Sequence, residues 1–275
     1  MRCLRSAAGR LFLFFIIGPL GLAACSTNGT RIDRLARSAG LQKQIVRGTA
    51  FSHVVYEKTS SRAERLFVFL EGDGAPWGTS GMQPALDPTA RYAMALRLMM
   101  KTEATSIYVA RPCYQDQLSS GCTAERWTFG RYAADIVDSM VAVISSESSK
   151  LQAKELVIVG YSGGGVLATL VAERMQAVAA VITIGANLDI DAWTKYNGNL
   201  PLSLSLNPAR SERAHPWPEF HFSGANDKVV PDETAARYFQ KYPQAQHFVI
   251  ADADHVCCWE SDWPGMLQRL ELDRR

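Results

Sequence analysis

Residues 157–168, VIVGYSGGGVLA, run from an apolar strand-like segment through a Gly-Tyr-Ser-Gly-Gly-Gly turn into a helix-like one. Two chemistries use such a turn. One holds a serine nucleophile on a sharp strand-to-helix bend; the other is a glycine loop that cradles a phosphate at a helix N-terminus. The bend needs small residues two positions either side of the serine so that the chain can fold back, and Gly160 and Gly164 flank Ser162 in that way. The same letters contain the rival: Gly163, Gly165 and Ala168 fit G-x-G-x-x-A, with Asp189 about twenty residues further on. Against it, a first glycine at the strand end would leave Ser162 in the middle-glycine position, and the turn falls late in the chain, outside an opening βαβ unit.

Outward from the turn, continuous apolar runs alternate with helical stretches. The runs are RLFVFLEGDG, SIYVARP, ELVIVGYSGGG, AAVITIGAN, EFHFSGAND and QHFVIADADH. Such runs mark parallel strands covered on both faces. Between the second and third, Ile136, Val137, Met140, Val141 and Ile144 form an apolar helical stripe. Before the first, RIDRLARSAGL has Ile32, Leu35, Ala36 and Ala39 at helical spacing, and IVRGTAFSHVVYEK predicts one or two half-buried strands. The predicted class is α/β, a doubly wound and mostly parallel sheet, with ligands at the carboxyl ends of the strands.

A serine hydroxyl is a weak nucleophile unless a histidine takes its proton and a carboxylate holds that histidine. FHFSGANDKVVP ends a strand with Asp227 in a turn, and FVIADADH ends the next with His255. Ser162, Asp227 and His255 thus follow predicted strands in the order Ser, Asp, His. Asp189 and Asp191 follow the strand after the serine, and Asp252 and Asp254 crowd the histidine. Asp227 is preferred because it ends the penultimate strand. His53 and His221 lie inside strand-like segments and read as core or face residues.

With these residues in place, the chain over roughly residues 45–272 resembles the α/β-hydrolase superfamily, in which the triad is read by context and role. The resemblance implies an oxyanion hole with one donor on the residue after the nucleophile, here Gly163, and a second on the loop after an early strand. Glu71-Gly72-Asp73 stands where hydrolases often carry His-Gly-X, so the backbone N–H of Asp73 is the second expected donor, with Glu in place of His. The implied reaction is cleavage of a carboxylic ester or thioester through an acyl-enzyme, without cofactor or metal. Peptide hydrolysis and acyl transfer to an alcohol use the same parts, and a binding protein on this fold would typically have lost a triad member.

The ends of the chain add location. Arg2, Arg5 and Arg10 precede LFLFFIIGPLGLAAC, a positive n-region and short apolar h-region of a secretory signal. Leu22-Ala23-Ala24-Cys25 resembles the lipobox of bacterial lipoproteins, which implies lipidation of Cys25 as the new N-terminus. Ser26 in place of an aspartate implies delivery to the outer membrane, facing the periplasm. The expected organisation is a signal peptide over 1–24, a polar tether over 25–30 and a catalytic domain over 31–275. Loss of residues 1–24 removes three arginines and no acids, taking the formal charge from +2 to −1, with no basic cluster to suggest nucleic acid. Export also removes any obvious supply of nicotinamide cofactor for the dinucleotide reading.

Four cysteines then remain, Cys113, Cys122, Cys257 and Cys258, which allow three pairings. Cys113 and Cys122 flank a short turn-rich loop and are expected to form a local disulfide bordering the cleft, with Trp127 packed just beyond. Cys257 and Cys258 are adjacent, where a bond would be strained, and buried thiols are an equal reading. Finally, residues 187–218 form a long excursion between strands, either a small cap or a surface loop, with Trp193, Tyr196 and Trp217 available to line a cleft.

Overall fold

Strands covered on both faces need apolar residues at nearly every position, and each of the six runs becomes a strand of one sheet. The structure, a computed structural model, describes residues 27–59, 64–115, 119–270 and 272. The strands are β1 Gln42–Arg47, β2 Ser52–Lys58, β3 Arg65–Leu70, β4 Ser106–Val109, β5 Glu155–Tyr161, β6 Val178–Ile184, β7 Glu219–Gly224 and β8 Gln246–Ile250. Their spatial order is β1-β2-β4-β3-β5-β6-β7-β8. β1 and β2, and β2 and β4, pair antiparallel; all later neighbours run parallel. The chain goes from β3 outward to β4 and then back across β3 to β5, so its direction of winding reverses at β3, the place where such sheets open a crevice. Register pairs Leu70 with Gly160, which sets the loop after β3 beside the turn after β5.

The helices are α1 Asn28–Ser38, α2 Met94–Met100, α3 Ala134–Lys150, α4 Gly163–Ala172, α5 Ile190–Tyr196, α6 Ala236–Lys241 and α7 Trp259–Arg269. Alternate residues of β3 feed opposite core layers, as the pleat requires. Phe67 and Phe69 pack with Ile32 of α1, Met94 and Leu98 of α2, and Trp259 and Trp263 of α7. Leu66, Val68 and Leu70 pack with Ile136, Val137, Met140 and Ile144 of α3 and with Leu167 and Val171 of α4. The stripe expected on α3 is therefore the buried one, with Val141 at its partly buried margin.

The boundary of the domain is earlier than the polar composition suggested. Thr27 caps α1, its Oγ1 accepting from the Thr30 N–H at 3.1 Å, so residues 28–30 belong to a helix and not to a tether. The expected signal peptide over 1–24 and the lipid site Cys25 lie outside the described residues.

Cys113 and Cys122 are disulfide-bonded, Cα atoms 5.5 Å apart. The loop does not border the cleft as expected: none of its described residues lines it, and Cys113 is instead buried in the α3–α4 core layer with Trp127. Cys257 and Cys258 are also bonded to each other and partly exposed, so they are not buried thiols.

Candidate active site

Ser162 sits between β5 and α4 with φ 51° and ψ −127°, a backbone conformation that non-glycine residues avoid. The chain can reverse there because its neighbours lack side chains. A Cβ on Gly160 would lie 2.2 Å from the Gly164 carbonyl oxygen, and one on Gly164 would lie 2.2 Å from that of Leu70. The sharp turn lifts the Ser162 hydroxyl to the carboxyl edge of the sheet.

The ends of the last two strands, β7 and β8, bring Asp227 and His255 to it. Ser162 Oγ is 3.1 Å from His255 Nε2, and His255 Nδ1 is 2.7 Å from Asp227 Oδ2. The buried Asp227 carboxylate also accepts from the Val229 and Val230 N–H groups, both at 2.8 Å, through Oδ1. This leaves Oδ2 for the imidazole and fixes the tautomer with its proton on Nδ1, so that Nε2 faces the hydroxyl as an acceptor. Tyr161 steadies the histidine from behind: its hydroxyl donates to the His255 carbonyl at 2.8 Å, and the rings lie 5.2 Å apart.

Asp189 and Asp254 are engaged elsewhere. Asp189 is buried and caps α5, accepting from the N–H groups of Asp191 and Ala192 and from the Asn207 side chain. That use leaves it no role in a dinucleotide site. Asp254 accepts from the N–H groups of Val256 and Cys257 at 2.7 Å each, and these bonds hold its carboxyl below the usual value. His53 is core, between the Ala110 carbonyl and the Ser139 hydroxyl, and burial pushes it down to about 4. His221 is likewise buried, bonded to Thr183 and Glu219.

The loop after β3 passes close to the serine, since a Cβ on Gly72 would be 3.2 Å from that of Ser162. Asp73 and Gly163 are close neighbours: a Cβ on Gly163 would fall 2.0 Å from Asp73 Oδ1. Among the described residues, neither backbone N–H has a protein acceptor. The Asp73 side chain was not anticipated as a participant. Arg111 donates to Oδ1 at 2.6 Å, Arg131 to Oδ2 at 2.8 Å, and the Tyr132 hydroxyl reaches the same carboxylate at 2.7 Å. Tyr114, inside the disulfide loop, donates its hydroxyl to the Asp73 carbonyl at 2.9 Å. Burial pushes the Asp73 carboxyl up, but the Arg131 and Arg111 guanidiniums outweigh it and hold it below the usual carboxylate value.

Glu71 anchors the same loop from its other side. Its carboxylate accepts from its neighbour Gly72 N–H at 3.1 Å and from the Ala95 N–H at the start of α2, again at 3.1 Å. Burial raises its carboxyl to about 7, against the pull of those N–H groups and of Arg111. Where a histidine was the expected residue type, a buried glutamate therefore ties the loop to α2.

A cleft of about 1180 Å³ opens over Ser162 and His255. Its walls include Trp77, Met82, Phe129, Trp193, Leu200 and Leu202, so the space is mainly apolar. The 187–218 excursion forms part of one wall through Trp193, whose Nε1 donates to the Val229 carbonyl at 2.8 Å. Tyr196 is exposed outside the cleft lining, and Trp217 is buried against His215, so neither lines the cleft. A second wall, residues 75–84, was not identified from sequence; its Trp77 packs edge-on against Phe129 at 5.5 Å.

No protein-family model and no curated relative matches the chain. Solved structures do. An esterase of Pyrococcus furiosus is 13% identical with a TM-score of 0.60, over 85% of this chain and 92% of that one. A lidless serine hydrolase of the α/β type from Xanthomonas campestris is 12% identical with a TM-score of 0.54, over 84% and 94%. An acylaminoacyl peptidase of Pyrococcus horikoshii is 11% identical with a TM-score of 0.56, over 84% of this chain but 41% of that one. The chain has the α/β-hydrolase fold.

Proposed function

We propose that the protein is a serine hydrolase that cleaves carboxylic esters or thioesters, held at the cell envelope by a lipid on Cys25. The observation that carries the reading is the continuous chain of contacts from Ser162 Oγ to His255 Nε2 and from His255 Nδ1 to Asp227, set on a strained turn under an apolar cleft. Such a constellation activates a hydroxyl that is otherwise inert.

In this mechanism Ser162 Oγ attacks the substrate carbonyl carbon while its proton passes to His255 Nε2, and Asp227 stabilises the resulting imidazolium. The carbonyl oxygen becomes an oxyanion held by the N–H groups of Gly163 and Asp73. Collapse breaks the bond to the leaving oxygen or sulfur, which takes the proton from His255. Water, deprotonated by His255, then attacks the acyl carbon, and collapse breaks the bond to Ser162 Oγ, which takes the proton back from His255 as the carboxylic acid leaves. No cofactor enters. The Asp73–Arg111–Arg131–Tyr132 cluster and Glu71 act as positioning groups for the second donor. A peptidase or an acyltransferase would share these residues, and the apolar walls favour an acyl group over a peptide backbone with its many polar groups.

The test is a panel of p-nitrophenyl esters of graded chain length beside peptide anilides, with intact mass of the membrane-extracted protein. Ester turnover that exceeds anilide turnover and is lost in Ser162→Ala, with a mass for a chain beginning at lipidated Cys25, is expected. Ester turnover that survives Ser162→Ala would overturn the nucleophile; an intact Met1 would overturn the anchor.

A further inference from the structure

We propose that the mouth of the Ser162 cleft lies on the bilayer that carries the N-terminal anchor, so that the substrate is a long-chain acyl ester presented by that bilayer. The inference rests on the hydrolase and anchor readings above and adds an orientation and a substrate class to them.

Three observations meet at one opening. The first is the lip formed by residues 75–88, a flap that folds back on itself through Gly78 N–H to Gln83 O at 2.8 Å, Ala85 N–H to Pro76 O at 3.0 Å and Ala75 N–H to Pro88 O at 2.9 Å. Met82 on this flap, 81% exposed, lines the cleft together with Leu200 and Val229, 69% and 47% exposed, and Leu86, 100% exposed, stands four residues further along the same flap. Single exposed apolar side chains are ordinary; a group of them around the entrance of an apolar cleft marks a surface built to be covered.

The second observation is where the undescribed N-terminal chain attaches. The Asn28 side chain at the start of α1 donates to the Thr89 carbonyl at 3.2 Å, and the next residues, Ala90, Arg91 and Tyr92, line the cleft. Cys25 is three residues before Asn28, a reach of about 10 Å of extended chain. A lipid on Cys25 therefore holds the opening next to the membrane and cannot swing it to the far side of the domain. The third is Arg91, exposed at the same lip and without an ion pair among the described residues, a cation placed for anionic headgroups. An apolar group beside a cation at the anchored edge fits a bilayer better than a second soluble protein.

The experiment uses the full lipidated chain on vesicles of phosphatidylethanolamine and phosphatidylglycerol, compared with the same chain in detergent micelles. Backbone amides of residues 79–92 should exchange with deuterium at least tenfold more slowly on vesicles; equal exchange overturns the proposal, as does protection that instead rises with protein concentration in the absence of vesicles, which would mark a second copy of the chain. Turnover of a fluorogenic long-chain ester dissolved in the vesicles is then divided by turnover of a water-soluble butyrate ester. Leu86→Glu should lower that ratio at least tenfold and Val249→Glu, on β8, should leave it within twofold; a ratio unmoved by Leu86→Glu contradicts the proposal. Failure of the wild type on both esters would sink the hydrolase reading alone, since the exchange measurement still decides the orientation.

Discussion

The two ends of α4 each meet a buried triplet of charges, and the triplets are of opposite sign. At the N-terminus, beside Gly163, one carboxylate, Asp73, lies between two guanidiniums, Arg111 and Arg131. At the C-terminal end, one imidazole, His215, lies between two carboxylates, Glu173 at 3.0 Å and Glu219 at 2.6 Å. Each central charge suits the helix dipole at its end. Both ring nitrogens of His215 face carboxylates, so both carry protons; burial pulls this imidazole down, and the carboxylates overcome it, bringing it to about 9. The first triplet holds the loop of Asp73 beside Ser162; the second touches nothing in the cleft. The same device is used once to position chemistry and once to close a core, and only position relative to Ser162 separates the two.

Ser162→Ala and His255→Ala should lower kcat by about four to six orders of magnitude with little change in melting temperature, as measured on the best ester of the panel. Asp73→Asn should lower kcat by about 100- to 1000-fold, the loss seen when an oxyanion donor is displaced, and it should also destabilise by about 3 to 5 kcal/mol because two buried guanidiniums lose their partner. A kcat within threefold of wild type for Asp73→Asn would break the functional half of the comparison.

His215→Gln is the matching change at the other end. It should cost about 3 to 5 kcal/mol in denaturant unfolding while leaving kcat within twofold. The pH dependence carries the sign. The folded value of His215 lies above the unfolded value of about 6.5, so its contribution is complete below that pH and is lost as pH rises through about 9. Wild-type stability should therefore fall between pH 7 and 9 by more than that of His215→Gln, and parallel curves would show that His215 is not the group responsible. Smaller still, replacing both Cys113 and Cys122 by serine should cost about 2 to 3 kcal/mol. It should leave KM nearly unchanged, because the loop they close stands behind the cleft and reaches it through Tyr114 and Asp73.

Much of this was legible in the sequence for identifiable reasons. Parallel strands announce themselves because both faces are buried, and β3, β5 and β6 read as unbroken apolar runs. The contacts joining Ser162, His255 and Asp227 were legible because each residue stands at a strand end in a fixed chain order. The disulfide between Cys113 and Cys122 was legible because a turn-forming stretch, with a sequence separation of 9 between the cysteines, brings them together. The charge triplets were not. Arg111 and Arg131 lie 38 and 58 residues from Asp73, and nothing local pairs them; the pairing exists only once β4 is placed beside β3. Glu71 was found by position, as a substitute for histidine, but its bonds to α2 depend on a helix 24 residues away. Thr27 was misread because a polar run looks alike whether it dangles or caps a helix.

Ser162, raised on its strained turn, is the proposed nucleophile of the cleft. Fluorophosphonate labelling of the full chain, followed by tryptic mapping of the adduct, tests it most directly. A single phosphonyl adduct on Ser162, absent from Ser162→Ala and strongly slowed in His255→Ala, is the predicted result; an adduct on another residue, or labelling of Ser162→Ala at the wild-type rate, would contradict it.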